Sequence, residues 1–129
     1  MIVLGLGARS GADLAGPVRL ALAAAGLLPD DVGVLATLDR RAAEDRVLAL
    51  AREHDWRIAA FTAHELAACP VPNPGRAAAV AVGTPSVAEA AALLAAGPGA
   101  ELIMPKRSRA GVTVALAVIQ RPGFVQYIC

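Results

Sequence analysis

Short runs of consecutive apolar residues alternate along the chain with longer amphipathic or alanine-rich segments, and glycine, proline or a capping residue closes most of them. Ile2–Gly7 has the unbroken apolar character of a buried strand, Val32–Leu38 predicts a second apolar strand and Arg57–Phe61 a third. Leu14–Ala25 predicts a helix, with Pro17 in its first turn, where a missing N–H costs nothing, and Gly26 as its stop. Arg41–His54 predicts a second helix with Asp39 as its N-cap; Val47, Leu50 and Ala51 share one side, and Arg41 can pair with Asp45 at i, i+4. Thr62-Ala-His-Glu65 has the form of a capping box opening a short helix. Cys69–Gly75 carries prolines at 70, 72 and 74 and predicts a restricted loop, and Val80–Val82 a short strand. A helix over Thr84–Ala96 is stopped by Gly97-Pro98-Gly99, and Glu101–Met104 and Val112–Ile119 predict two more strands.

The segment Pro105–Gly111 between those last strands is too short for a crossover helix, so the pair should be an antiparallel hairpin. Strands separated by helices earlier in the chain demand a parallel sheet covered on both faces. The expected fold class is therefore α/β: a single three-layer αβα domain over residues 1–120, with a mixed, mostly parallel sheet of about five strands and a C-terminal antiparallel hairpin. Residues 121–129 read as a tail, whose Phe124, Tyr127 and Ile128 could pack on this domain or make an oligomer with a partner subunit.

Composition narrows the picture. The chain has 129 residues, 57% of them hydrophobic and only 3% aromatic, so small side chains dominate and helices can lie close to a sheet. One domain of this length is expected. A net charge of +1 and four aromatics argue against a nucleic-acid partner, which would need a basic face or a stacking platform. No apolar stretch reaches the ~20 residues of a membrane span. No basic segment precedes the first apolar run, and Cys69 and Cys129 make neither a disulfide framework nor a metal knuckle; a cytoplasmic protein without metal or cofactor is expected. Near-neutrality conceals an asymmetry: residues 1–100 hold 8 basic and 10 acidic side chains, residues 101–129 hold 4 and 1.

Ligands of open α/β sheets bind beyond the carboxyl ends of the parallel strands, so chemistry is sought there. Gly5–Gly11 follows the first strand and opens a helix; Gly7, Arg9, Ser10 and Gly11 could cradle an anion, or form only a structural turn. It is neither G-x-G-x-x-G nor a phosphate loop. Thr84 and Ser86 begin the alanine-rich helix and either merely cap it, Ser86 with Glu89 as a capping box, or also present hydroxyls and N–H groups to a carboxylate or phosphate. Lys106, Arg107 and Arg109 make either a solvated basic turn or a fork for carboxylates. Asp39 and His64 are the two general acid/base candidates, whereas His54, at a helix end, reads as solvated or dipole-pairing. No Ser/His/Asp or Cys/His arrangement stands out.

Gly5–Gly11, Ala36-Thr-Leu-Asp-Arg-Arg41, Val71-Pro-Asn-Pro74, Gly83-Thr-Pro-Ser-Val-Ala-Glu-Ala-Ala-Ala-Leu93, Pro105-Lys106 and Val112-Thr-Val-Ala115 together resemble the CobE/CbiG C-terminal domain family of cobalamin biosynthesis, in order over about residues 2–118. The length resembles its stand-alone members; elsewhere the module follows another domain in a protein that opens a ring-contracted lactone. The resemblance implies a three-layer α/β fold and a protein of corrin-ring construction. Such a protein binds an anionic precorrin-type tetrapyrrole and assists its conversion or its transfer between pathway enzymes. Acetate and propionate carboxylates on that ligand would suit Arg9, the Thr84–Ser86 helix start and Lys106–Arg109. Two departures stand out. Ala8 occupies the place of a cysteine common in the family's opening loop, which rules out a covalent step there and favours binding over independent catalysis, and Arg41 stands where lysine is common. The alternative is a small α/β regulatory or interaction module that binds a nucleotide or phosphometabolite at Gly5–Gly11.

Overall fold

The computed structural model describes residues 2–9, 11–69 and 87–118. Five strands, β1 (Ile2–Ala8), β2 (Val32–Leu38), β3 (Arg57–Phe61), β4 (Glu101–Arg109) and β5 (Val112–Val118), form one sheet in the order β3-β2-β1-β5-β4. β1, β2 and β3 run parallel, and β5 pairs antiparallel with both β1 and β4. The expected mixed sheet and hairpin are thus present. The Val80–Val82 segment, the prolines of the Cys69–Gly75 loop and the tail lie outside the described residues.

Alternation along the strands sorts side chains to two faces. Leu4, Leu6, Leu35, Val112, Val114 and Leu116 pack on one face against α1 (Ala15–Ala24) and α3 (Asp45–His54). Val3, Val34, Ala36 and Ala117 pack on the other against α4 (Ala63–Ala68) and α5 (Val87–Ala96). Helix α5 lies directly over β1. A Cβ added to Gly5 would fall 1.9 Å from the Ala88 carbonyl oxygen and 2.9 Å from Ala92 Cβ, so Gly5 makes room for a helix, not for a ligand. Gly7 lies on the same strand, and a Cβ there would meet Val87 Cβ at an ordinary 3.7 Å. The Thr37 hydroxyl, buried on β2, donates to the Leu6 carbonyl at 2.7 Å.

Four local expectations are corrected. Asp39 does not cap the second helix: Leu38 is the N-cap without a side-chain bond, and Asp39 begins α2 (Asp39–Ala42). The single helix over Arg41–His54 is two, because Glu44 is extended and starts α3 afresh. Arg41 pairs with Glu44 at 2.5 Å instead of Asp45. The fourth correction is larger. Pro105–Arg109 is not loop: β4 continues to Arg109, leaving a two-residue turn, Ala110 (φ 52) and Gly111 (φ 82). Positive φ at both positions matches the twist of a tight hairpin. The capping box of α4 is present: Thr62 Oγ1 accepts from Glu65 N at 3.0 Å, and Glu65 Oε1 accepts from Thr62 N at 2.8 Å.

Candidate functional site

The carboxyl ends of the parallel strands and the hairpin tip converge on one end of the sheet, since Ala8 pairs with Val112 and Val112 with Arg109. His64 lies beyond β3, Asp39 beyond β2, Arg9 beyond β1 and Arg109 at the end of β4. At ~4.8 Å between strands, four intervals make this rim ~19 Å wide. Asp39 and His64 are exposed and sit over neighbouring strands, away from the hairpin edge. His54 is elsewhere, stacked on Trp56 with ring centroids 4.7 Å apart where α3 ends and β3 begins.

The loop after β1 is anchored from two sides. Arg9 N donates to the Gly111 carbonyl at 2.9 Å, tying it to the hairpin turn. A side chain at Gly111 would come within 3.2 Å of Arg9 Nε, so Arg9 lies against the turn. From the other side, Arg46 on α3 donates to the Arg9 carbonyl at 2.8 Å and to the Ala12 carbonyl. Its Nε donates to Glu44 Oε1 at 2.6 Å. Arg41 and Arg46 together hold the Glu44 carboxyl below the ordinary glutamate value, chiefly through the hydrogen bond from Arg41. Glu44 consequently stays charged, and its hold on Arg46 persists, into mildly acidic solution. Gly11 has φ +79, a conformation that favours glycine.

Arg46 carries no motif in the sequence, because the two loop carbonyls it holds, at Arg9 and Ala12, lie more than thirty residues away. Arg46→Ala removes a fork that no other side chain replaces and should cost about 2 kcal/mol of stability, as hydrogen bonds from charged donors do. Amide exchange at Ala12 should rise with it, and Arg46→Lys should restore only part of the protection. Unchanged exchange at Ala12 would remove Arg46 from this role.

The basic strand is divided between the two faces of the sheet. Arg107 and Arg109 stand opposite Val114 and Val112, on the α1 face. Ser108 faces the other way, its hydroxyl 2.7 Å from that of Thr113. The backbone N–H of Lys106 turns toward α5 and donates to Glu89 Oε2 at 3.0 Å. Glu89 is completely buried. Two register shifts in β4, between Leu102 and Met104 and between Met104 and Arg107, mark bulges, and the Glu89 bond satisfies a donor that the second one frees. Ser10, Thr84 and Ser86 lie outside the described residues. Among the described residues no group of acidic, histidine or cysteine side chains could hold a metal, and no helix is long and apolar enough to cross a membrane.

The fold and its rim define an open-sheet, three-layer α/β domain with cations beside the ends of its parallel strands. The family model for the cobalamin synthesis G C-terminus matches residues 2–117. Protein CobE of Sinorhizobium sp is 38% identical over 121 residues, covering 90% of this chain and 79% of that protein. The crystal structure of CobE, a protein from the cobalamin (vitamin B12) biosynthetic pathway, superposes with a TM-score of 0.76 at 26% identity, over 94% of this chain and 93% of that one. Cobalamin biosynthesis protein chiG from Agrobacterium tumefaciens gives 0.72 at 33% identity, over 94% of this chain and all of that one. The chain belongs to the CobE/CbiG C-terminal family of cobalamin biosynthesis.

Proposed function

We propose that this protein binds an anionic precorrin-type tetrapyrrole in the cytoplasm, at the rim formed by the β1–α1 loop and the β4–β5 hairpin, and passes it between enzymes of corrin construction. The observation that carries the reading is the gathering of Arg9, Arg107 and Arg109 at one end of the sheet, none of them in an ion pair among the described residues. A ring bearing many carboxylates would be held by several guanidiniums along a broad rim rather than enclosed. Lys106, whose N–H turns toward α5, would contact it from that side. Carriage is favoured over independent catalysis because Ala8 supplies no nucleophile, and because the exposed Asp39 and His64 stand on different helices, α2 and α4. The use of Gly5 for helix packing weakens the rival reading of a phosphate cradle at Gly5–Gly11.

Titration of the purified protein with a corrin polycarboxylic acid, followed by visible absorption, tests this. Micromolar or tighter binding that weakens as salt rises is expected. Failure to bind at micromolar concentration, with a nucleotide binding in its place, overturns the reading in favour of the regulatory module.

A further inference from the structure

Between α1 and the hairpin runs a groove of about 270 Å³. Pro17, Leu20, Ala21 and Ala24, which recur at helical spacing on α1, form one wall, and Val112 extends the apolar lining. Arg107 and Arg109 border it from β4, two residues apart on the same face and so ~7 Å from each other along the strand. No acidic side chain lines the groove. Leu20 is 51% exposed, so its side chain is open to a ligand beside the two cations. An apolar wall under two guanidiniums matches an amphipathic polyanion: hydrocarbon against the helix, carboxylates on the arginines.

We infer that this groove seats one edge of the tetrapyrrole, with two neighbouring carboxylate arms on Arg107 and Arg109 and the hydrocarbon between them on Leu20. The inference rests on the proposed tetrapyrrole binding and places it on the α1 side of the hairpin. The volume lies just below the ~300–1,000 Å³ of pockets that enclose drug-sized ligands. A whole macrocycle therefore stays outside, and only its side arms enter. Charge complementarity selects this occupant over a second copy of the chain, whose own hairpin would bring arginine against arginine.

The test compares affinities for a corrin polycarboxylic acid and for its fully amidated counterpart. Arg107→Ala and Arg109→Ala should each weaken acid binding about tenfold, the loss of one charge-assisted contact, and leave the weaker binding of the amide unchanged. Leu20→Asp should weaken the acid more than tenfold. Leu20 is half exposed, so this variant should keep its fold, checked by circular dichroism. Arg52→Ala removes a cation from the exposed last turn of α3 and should change affinity less than twofold. Amides of α1 should gain protection from exchange when the acid binds. Wild-type binding with Leu20→Asp unaffected, or with Arg52→Ala as damaging as Arg107→Ala, overturns the groove and leaves the proposed function standing. No binding by the wild-type protein overturns both.

Discussion

Gly5→Ala is expected to cost about 3 kcal/mol or more, at the upper end of what overpacking a core does. The added methyl would lie 1.9 Å from a carbonyl oxygen of α5, and backbone cannot rotate aside as a side chain can. Either α5 moves off the sheet, opening the layer that Ala91, Ala92 and Leu93 now fill, or β1 shifts against both of its neighbours. Against a total stability of ~5–15 kcal/mol such a loss leaves little margin. Urea unfolding of Gly5→Ala and Gly7→Ala side by side measures it. Gly7 has ordinary clearance and should lose no more than about 1 kcal/mol. Equal midpoints for the two variants would show that α5 does not approach β1 as closely as described.

The second large effect is expected at Glu89. Glu89→Leu keeps the volume and removes the acceptor, so the half-buried Lys106 N–H loses its partner, costing about 1–3 kcal/mol. Glu89→Gln retains an acceptor oxygen at the same reach and should keep most of the stability. Exchange of the Lys106 amide is the specific readout: strongly faster in Glu89→Leu, near wild type in Glu89→Gln. If both variants exchange alike at Lys106, the carboxylate does not hold the bulge.

These residues also show how far the sequence could be read. The three parallel strands were legible because each is a nearly unbroken apolar run, and the hairpin because too few residues separate its strands for any other connection. The extent of β4 was not. Pro105 and a run of cations resemble a turn, yet an edge strand tolerates both, since one side of its backbone need not pair. Three cations within four positions consequently do not form one cluster: Arg107 and Arg109 share a face, whereas the chain at Lys106 turns its N–H to α5. The break between α2 and α3 escaped notice because nothing in the composition around Glu44 opposes a helix. At the break Arg41 and Arg46 take the Glu44 carboxylate from either side, and Arg46 also reaches across to the Arg9 and Ala12 carbonyls. Glu89 sits where a capping-box partner would be, and only the fold shows it reaching across to β4.

The kinks of β4 bear on more than a ligand. β4 is one of the two outer strands of the described sheet, and an outer strand that runs straight offers its unused N–H and carbonyl groups to any other extended chain. Here two bulges break the regular spacing of those groups, Pro105 withholds one donor, and Arg107 and Arg109 repel the same segment of a second molecule. The Glu89 side chain, buried on the opposite layer, thus helps to fix the irregular outline that makes this edge a poor template for another chain to zip onto.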